Sequence, residues 1–382
     1  MARKIGHYLF SEGYSGLMAN LVFDAFTNHP EIPGNFNELL FEDRKGLASV
    51  YSTEKEIRRI AIEGKLFFDE KYRNKFISDS LKCKNEFDEF FGEYNKLPLK
   101  NLPNRKLLEL FNSYCKLFIP VIGRFKVIGG RSYPLLEKRV KQEVAKYYSG
   151  RELENNYTLL FSSTTPDILQ REESELIKLS QKREVSDSEL LAHSEKFALL
   201  YFNTYDENSV LSFLRRRVLE ARKNKAQFKQ FLEKIAKEKG EIWGKQEKIL
   251  RKIKDRNIRD LAIFMREQGA IRLELKDGWG GAEYRFRNLF KEVASRIGAD
   301  FEEYIHSYNV EDATVFLKSG VKLSAKELNR RRNLFVYFKQ NGNKGFLSGN
   351  AAEGKVKGLR GKEDPVPKAV NGLCGSPGKV VG

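Results

Sequence analysis

Two stretches of the chain alternate between apolar and polar positions with the period of two that is typical of β-strands. In the first, residues 39–51, a charged turn that ends in Gly46 separates two apolar runs. In the second, residues 334–347, the turn contains Asn341-Gly342, and Asn-Gly is a strong signal for a two-residue hairpin turn. Each stretch is therefore predicted to form a β-hairpin.

A period near 3.6, typical of amphipathic helices, is clearest shortly before Gly298. Its apolar positions recur at spacings of three and four residues: Phe286, Leu289, Phe290, Val293 and Ile297. Other helix starts are marked by Ser or Thr followed three residues later by Glu, which is the capping-box spacing: Thr53/Glu56, Ser186/Glu189 and Ser324/Glu327. We expect a helix to begin behind each of these pairs.

The central part of the chain is predicted to be almost purely helical. The tripeptide Thr-Pro-Asp at residues 165–167 places a cap, a first-turn proline and a first-turn carboxylate in the order that favours a helix start. A long basic helical stretch follows over residues 211–269. We expect an interruption between Gly240 and Gly244, and we expect the stretch to end at Gly269, because glycine is the usual residue just past a helix end.

These patterns predict a mainly α (α+β) fold, a multi-helix central domain with short β-hairpins. Residues 1–150 are predicted as a mixed α/β N-terminal region, and residues 151–353 as a helical region that ends in a β-hairpin. From residue 354 to residue 382, Gly, Lys, Pro and Val dominate. This composition predicts a linker that leads into the beginning of a further unit.

Composition narrows the class of protein. Of the 382 residues, 41% are hydrophobic, which is enough for a folded core. No apolar run approaches the roughly 20 residues that a membrane-spanning helix needs, and we recognise no signal peptide. Three widely separated cysteines provide neither a disulfide framework nor a CxxC metal pair. We therefore expect a cytoplasmic protein with no membrane partner.

The formal charge of +17 favours anionic partners. From Arg215 to Arg256 there are 16 Lys and Arg against 6 Asp and Glu, and counterion release would attract nucleic acid to such a segment. However, acidic residues such as Glu220 and Glu233 are interspersed at helical spacing, as on an ordinary solvated helix, and aromatic residues for base stacking are sparse. We expect no nucleic-acid partner; a basic helical nucleic-acid-binding protein remains an alternative.

The sequence matches none of the common catalytic or nucleotide-binding motifs considered next. The four histidines, His7, His29, His193 and His306, show no metal spacing such as HxxxH or HExxH. The sequence contains no GxxxxGK[ST] loop, no strand-turn-helix GxGxxG and no GxSxG elbow. A metalloenzyme and a self-contained nucleotide site are therefore not expected, and no catalytic residue is assigned.

Three residues are candidates for substrate contacts because of their positions. His193 shares a helix face with apolar residues, which suits either a core histidine bonded to a carbonyl or carboxylate group, or a substrate contact. Arg266 and Arg272 flank the turn expected at Gly269 and could together hold a phosphate or a carboxylate. The alternative for both arginines is ordinary surface charge that compensates a helix C-terminus.

Three segments resemble the PEP-utilising phosphotransferases, a family that includes phosphoenolpyruvate synthase-like and rifamycin phosphotransferase-like proteins. The most specific is NGLCGSPGKVVG at residues 371–382. It is similar to the G-x-x-A-S-P-G-x-V-x-G entry strand of that family's swivelling phosphohistidine domain, with Gly375 in place of the common alanine. Residues 290–352 resemble the segment that precedes this domain, and residues 193–197 resemble a His-x-x-Lys-Tyr helix of the central region.

The resemblance implies a phosphoryl relay. ATP, with Mg²⁺, phosphorylates a histidine on a mobile domain, which then swings and phosphorylates pyruvate or another small-molecule acceptor. The phosphohistidine is expected beyond Gly382, and the chain lacks the ATP-grasp domain of the family. The chain itself is therefore expected to bind no cofactor and to be inactive alone.

On this resemblance the chain is predicted to be a fragment or subunit of a PEP synthase-like phosphotransferase. It would contribute the central acceptor-side region and the truncated C-terminal entry strand, and it would need ATP-grasp and phosphohistidine domains as partners in cis or in trans. The candidate substrate-binding residues are His193, Lys196, Arg266 and Arg272. The alternative within the same context is a non-enzymatic adaptor that docks a separate phosphotransferase.

Overall fold

The computed structural model describes residues 5–28, 32–128, 130–202 and 204–360. Five strands form one antiparallel sheet in the order β1-β3-β2-β4-β5. Their bounds are β1 His7–Glu12, β2 Leu39–Arg44, β3 Leu47–Ser52, β4 Phe335–Gln340 and β5 Asn343–Ser348.

The described residues are otherwise dominated by α-helices, and the mainly α (α+β) fold class is confirmed. The helices are α1 Gly16–Thr27, α2 Glu54–Glu63, α3 Glu70–Tyr94, α4 Asn104–Val127, α5 Pro134–Val144, α6 Gly150–Leu160, α7 Ile168–Ser180, α8 Asp187–Lys196, α9 Glu207–Lys223, α10 Lys225–Lys252, α11 Arg256–Gly280, α12 Ala282–Arg285, α13 Arg287–Ile297, α14 Phe301–Ser307, α15 Val310–Ser319, α16 Ala325–Asn333 and α17 Gly349–Leu359. None of these helices is both long enough and apolar enough to cross a membrane.

Both predicted hairpins are confirmed, β2 with β3 and β4 with β5. Each turn holds two consecutive residues with positive φ. These are Lys45 (54°) and Gly46 (83°) in the first turn, and Asn341 (51°) and Gly342 (78°) in the second. Two positive φ values in a row give the turn a twist that matches the right-handed twist of the strands, so the local sequence is sufficient to specify each hairpin.

The two hairpins join through β2 and β4, where Phe41 lies opposite Tyr337. On one face of the sheet, Phe23 of α1 stacks on Tyr337 with ring centroids 5.4 Å apart. On the other face, Ala352 and Val356 of α17 pack in a separate apolar cluster with strand residues. The first and last parts of the described chain therefore form one sheet, covered by a helix on each side.

The large core lies where α3, α4, α11 and α13 meet. Phe286 is fully buried there, and its ring centroid lies 4.8 Å from that of Tyr114 and 5.4 Å from that of Phe87. A second, smaller core forms between α7, α8 and α9 around Leu176, Leu190 and Leu214. Leu190, an apolar residue on the His193 face of α8, belongs to this smaller core.

Two expected helix boundaries are wrong. Helix α10 continues through Gly240 and Gly244, and α11 continues through Gly269 to Gly280. A glycine inside a helix costs only about 1 kcal/mol relative to alanine, and α11 gains more than this by burying a continuous row that includes Leu275. Tertiary packing, which the local pattern does not contain, therefore overrides the expected stop.

The helix starts are largely as expected. Ser186 and Glu189 form a complete capping box, and the side chains of Thr53 and Ser324 cap α2 and α16. In the tripeptide at residues 165–167, however, the cap is Asp167, two residues later than predicted. A carboxylate is at least as good a cap as a threonine hydroxyl, so the helix begins behind Asp167.

The region predicted as a linker from residue 354 begins inside a helix. Helix α17 runs to Leu359, because Ala352, Val356 and Leu359 recur at helical spacing and pack on the sheet. The segment 371–382, with the predicted entry strand, lies outside the described residues.

Candidate functional site

His193 lies in the small core between α7, α8 and α9. Its Nε2 atom is 3.0 Å from Oε1 of Glu172, and both side chains are buried. Arg217 donates from Nη1 to both oxygens of the same carboxylate at 2.6 Å. Burial opposes ionisation of Glu172, but the hydrogen bonds from His193 and Arg217 prevail and hold the pKa of this carboxyl below its usual value. These contacts are those of the first alternative given for His193, a core histidine bonded to a carboxylate group.

Lys196 occupies the exposed side of the same helix. Its Nζ lies 3.3 Å from Oε2 of Glu175, and 60% of the lysine side chain is exposed. Nζ also lies 5.6 Å from the ring centroid of Phe197. Lys196 is therefore held at the surface by α7 and α8 and does not share the buried carboxylate of His193.

Arg266 and Arg272 do not flank a turn, because α11 is continuous between them. Six helical residues turn the side-chain direction by about 240°, so the two arginines have different neighbours. Arg266 Nη1 donates to Glu247 Oε1 of α10 at 2.9 Å, whereas the Arg272 guanidinium lies 4.7 Å from the Phe125 ring centroid on α4. The structure does not bring them together as one anion site.

A pocket of about 240 Å³ opens at a different place, beside the turn between β2 and β3. We call it the Asp43 pocket. It is lined by Tyr14, Asp43, Lys45, Gly46, His306, Arg331 and Arg332. These residues come from the segment before α1, from the hairpin turn, from α14 and from α16, so the pocket exists only in the folded chain.

The strand pattern places Asp43 in this pocket. Leu39 and Phe41 of β2 point into the large core, and Asp43 follows them on the same face with the strand period of two. The sharp turn at Lys45 and Gly46 then brings the Gly46 amide back over the strand, where it donates to Asp43 Oδ1 at 2.9 Å. The carboxyl group is therefore fixed by its own turn.

The helical side of the pocket depends on Gly16, the first residue of α1. A Cβ atom at this position would lie 2.5 Å from the carbonyl oxygen of His306, which is closer than nonbonded atoms approach. Only glycine therefore allows the start of α1 to pack on α14 at this distance. This close approach brings Tyr14 and His306 into the same pocket.

Asp43 has an unusual electrostatic environment. The residue is 2% exposed, and within the described part of the chain its Oδ2 atom has no hydrogen-bond partner. Burial raises the pKa of Asp43 to about 6, in spite of the Gly46 amide, whose hydrogen bond lowers it. A buried carboxylate oxygen that lacks a donor is a strong hydrogen-bond acceptor, and Asp43 is one of the residues that line the pocket.

Three basic side chains, Lys45, Arg331 and Arg332, also line the pocket. Arg331 is anchored by Nη1 to the carbonyl of Ser307 at 3.1 Å and by Nε to Glu327 at 2.9 Å. Arg332 pairs with Glu303 at the surface. Lys45, by contrast, has no ion-pair partner among the residues that the structure describes. The pocket can therefore hold an anionic group near Lys45 and a hydroxyl group near Asp43.

Sequence reasoning missed this site. It assigned residues 42–46 to a charged turn and counted His306 only as a histidine without a metal spacing. One signal was present in the sequence, since Asp43 occupies the inward position that follows Leu39 and Phe41 in the strand alternation. Nothing local indicates that α14 and α16 meet this turn, because they follow it by more than 250 residues.

The resemblance assigns ATP and Mg²⁺ to the full family enzyme. Across the described ranges, no group of three or more His, Cys, Asp and Glu side chains is placed so that it could hold a metal ion. The Asp43 pocket contains one carboxylate among several cations, and this donor set does not suit Mg²⁺.

Comparison with known proteins adds no relative. No protein-family model matches the sequence, and neither a curated protein nor a solved structure matches it. Membership of the PEP-utilising family therefore stays a prediction that rests on the residues quoted for it.

Proposed function

We propose that this chain provides the acceptor-binding part of a PEP synthase-like phosphotransferase and that the acceptor binds in the Asp43 pocket. The observation that carries the proposal is Asp43, which lines a pocket together with Lys45, Arg331 and Arg332 and whose buried Oδ2 atom has no hydrogen-bond partner among the described residues. The acceptor is a small molecule that carries a hydroxyl group next to an anionic group. The hydroxyl donates to Asp43, and the anion lies near Lys45 and Arg332.

The proposed step transfers a phosphoryl group from a phosphohistidine that lies outside this chain. The acceptor oxygen attacks phosphorus, the P–N bond breaks, and its electron pair stays on the imidazole nitrogen. The proton of the acceptor hydroxyl moves to Asp43 Oδ2. A base is most effective when its pKa lies near the working pH, and burial raises the pKa of Asp43 to about 6. Lys45 and Arg332 offset charge on the transferred group.

The proposal requires partners. The phosphohistidine domain and the ATP-grasp domain, which would use ATP and Mg²⁺, are supplied in cis or in trans. The chain alone binds the acceptor but does not complete the relay. Binding is therefore the activity that purified chain can show, and it is also the activity that the pocket residues control.

Binding can be measured by isothermal titration calorimetry with lactate, pyruvate and phosphoenolpyruvate as probes. We expect lactate to bind, because it carries a hydroxyl group next to a carboxylate. Asp43→Asn should weaken lactate binding by roughly tenfold or more, the usual effect of losing a charged hydrogen bond. Lys45→Gln should weaken it several-fold at low salt and less at high salt. Lys326→Gln is the matched control, since Lys326 is on α16 but does not line the pocket.

The proposal is overturned if none of the three probes binds at millimolar concentration. It is also overturned if lactate binds equally well to native protein, Asp43→Asn and Lys45→Gln. Thermal melting of each variant shows whether the fold is retained, and Asp43→Asn preserves the acceptor for the Gly46 amide. A loss of lactate binding in that variant would therefore show that the ligand needs the Oδ2 atom as its hydrogen-bond acceptor.

One observation favours the adaptor as a second candidate. Ile62, Leu66 and Phe68 expose 58%, 48% and 44% of their surface, and they lie close together in sequence around the end of α2. Neighbouring exposed apolar side chains are typical of a protein-binding surface. Size-exclusion chromatography of the chain with an ATP-grasp protein tests this candidate. A complex that is lost with Leu66→Ser but kept with Leu219→Ser, another exposed leucine, would support it.

A further inference from the structure

A groove of about 740 Å³ lies at the surface where α2 ends and α3 begins. We call it the α2–α3 groove. It is lined by Ile62, Glu63, Lys65, Leu66, Asp69, Lys71, Tyr72 and Lys75. None of these residues lines the Asp43 pocket. Most of the surface that the groove presents is carbon, and the exposed side chains of Ile62 and Leu66 contribute to it.

The backbone of the groove is held in place by buried contacts. A 3₁₀-helix, Gly64–Phe68, joins α2 to α3. A Cβ atom on its first residue would lie 1.8 Å from the carbonyl oxygen of Ser132, so only glycine allows this close approach. The buried Arg73 donates from Nη1 to the carbonyl oxygens of Phe67 and Phe68 at 3.0 Å each. The groove is therefore preformed, and a partner does not have to order it on binding.

The acidic residues of the groove already have partners within the chain. Arg59 forms an ion pair with Oε1 of Glu63, and the amide of Gly34 donates to Oε2 of the same carboxylate at 2.9 Å. Asp69 is the N-cap of α3, and its Oδ1 atom accepts from the amide of Tyr72 at 2.8 Å. These two carboxylates therefore offer little negative charge to a partner.

The lysines of the groove, in contrast, are available to a partner. Lys65 and Lys71 are exposed, and neither has an ion-pair partner within the part of the chain that the structure describes. Lys75 pairs with Asp79 at 2.7 Å, but most of the lysine side chain is exposed, and exposed ion pairs are weak. The groove therefore combines a carbon surface with positive charge.

We propose that the α2–α3 groove is the docking site for an acidic amphipathic helix of a partner protein. Apolar side chains of that helix pack on Ile62, Leu66 and Tyr72, and its carboxylates pair with the three lysines of the groove. Open grooves with apolar walls bind amphipathic helices through apolar side chains three and four residues apart, and complementary charge selects the partner. The inference specifies the partner segment for the adaptor candidate, and it does not depend on the Asp43 pocket.

Two designed peptides test the inference by fluorescence anisotropy with the full chain. Both are amphipathic helices with leucine at positions i, i+3, i+4 and i+7. Glutamate flanks the leucines in the acidic peptide, and lysine flanks them in the basic peptide. We expect the acidic peptide to bind with micromolar affinity and to bind more weakly as the salt concentration rises. The basic peptide should bind roughly tenfold more weakly or not at all.

Two leucine variants test the apolar contact. Leu66→Ser should weaken binding of the acidic peptide by roughly tenfold, because a leucine side chain is no longer buried against the helix. Leu219→Ser changes another exposed leucine, which does not line the groove, and it should bind the peptide as native protein does. Both changes are at exposed positions, and thermal melting measures whether each variant retains the fold.

Two double variants test the charge. Lys65→Glu/Lys71→Glu should reverse the preference, so that the basic peptide binds more tightly than the acidic one. Lys318→Glu/Lys326→Glu is the matched control, because it changes the net charge by the same amount at exposed lysines outside the groove. The control should keep the preference for the acidic peptide.

Three results would overturn the inference. The first is that the acidic peptide does not bind at a high micromolar concentration, and the second is that it binds Leu66→Ser as tightly as native protein. The third is that the control double variant loses as much affinity as the groove double variant, because overall charge would then explain binding. Vesicles of phosphatidylglycerol are the alternative anionic surface. If they bind the chain through Leu66 and the acidic peptide does not bind, the groove is a lipid site and the inference fails.

Lactate calorimetry on the same variants separates this inference from the proposed acceptor site. Leu66→Ser and Lys65→Glu/Lys71→Glu should bind lactate as native protein does, because these residues do not line the Asp43 pocket. Peptide binding without lactate binding would overturn the acceptor site alone. Lactate binding without peptide binding would overturn the docking groove alone.

Discussion

The hydroxyl group of Tyr205 donates a hydrogen bond to Oε2 of Glu283 over 2.9 Å and so joins residues 78 apart in the chain. Ser15 Oγ donates to the other oxygen of the same carboxyl group and accepts from the amide of Met18 to cap α1. Glu283 is 2% exposed. This buried carboxyl therefore anchors the start of α1, directly beside Tyr14 of the Asp43 pocket.

The first prediction concerns Glu283 and pH. Burial raises its pKa from 4.5 to about 7, so the folded protein holds this proton more tightly than the unfolded chain. Its contribution to stability is complete below about pH 4.5 and is lost as the pH rises through 7. The free energy of unfolding of Glu283→Gln minus that of native protein should therefore increase by about 3 kcal/mol from pH 4.5 to pH 8.

Urea unfolding of both proteins at pH 4.5, 6 and 8 measures this difference. Glu241→Gln, a change at an exposed glutamate on α10, serves as the control and should show no such trend. A constant difference between Glu283→Gln and native protein at all three pH values would contradict the prediction.

The second prediction is that Asp43 reduces stability while it supports binding. Burial raises its pKa from 3.8 to about 6, so the contribution of this group to stability is lost as the pH rises through 6. We expect Asp43→Asn to be more stable than native protein by about 2–3 kcal/mol at pH 8 and little different at pH 3.5. The same variant should lose lactate affinity, as sites built for function often trade stability for activity. Unfolding and calorimetry on one preparation measure both quantities.

The third prediction concerns Gly16. Alanine at this position would force α1 away from the His306 carbonyl, because its Cβ would lie 2.5 Å from that oxygen. We expect Gly16→Ala to lower the free energy of unfolding by about 1–3 kcal/mol. Gly244→Ala is the matched control inside α10, where a Cβ meets nothing within 4 Å, and it should be stabilising by about 0.5–1 kcal/mol. Equal effects of the two changes in urea unfolding would contradict the role assigned to Gly16.

The fourth prediction distinguishes the two interpretations of His193. Replacing it with alanine opens a cavity and removes a hydrogen bond from the buried Glu172 carboxylate, so we expect a loss of about 2–3 kcal/mol in stability. Lys196→Gln should change stability by at most about 0.5 kcal/mol. Lactate affinity should be the same in both variants as in native protein. A selective loss of ligand binding in a stable His193→Gln protein would instead support the substrate-contact interpretation.

The fifth prediction concerns the source gene. If the chain belongs to the relay that the resemblance implies, reading the DNA past codon 382 should find an in-frame Ser/Thr-His segment within about 100 codons, the size of a small domain. A stop codon directly after Gly382 would instead favour the adaptor or a phosphohistidine domain supplied in trans. Mixing experiments with that domain would then become the decisive measurement.

Much of the local structure could be predicted because its causes are local. The turn at Asn341-Gly342 needs two residues with positive φ, and the sequence provides residues that accept this backbone geometry. The helix that ends at Gly298 is specified by its apolar spacing and by a left-handed closing residue. The predicted end at Gly269 was wrong for the opposite reason, since long-range packing of α11 outweighed a weak local preference.

By itself, the sequence determined the fold class, the two hairpins and most helix starts, because turns, caps and periodic stripes depend on residues only a few positions apart. Only the tertiary structure decided that β2 pairs with β4, that Asp43 meets α14 and α16, and that Arg266 and Arg272 have separate partners. These relationships join residues far apart in the chain. Their free energy comes from surfaces that become neighbours only after folding, so no local pattern records which surfaces will meet.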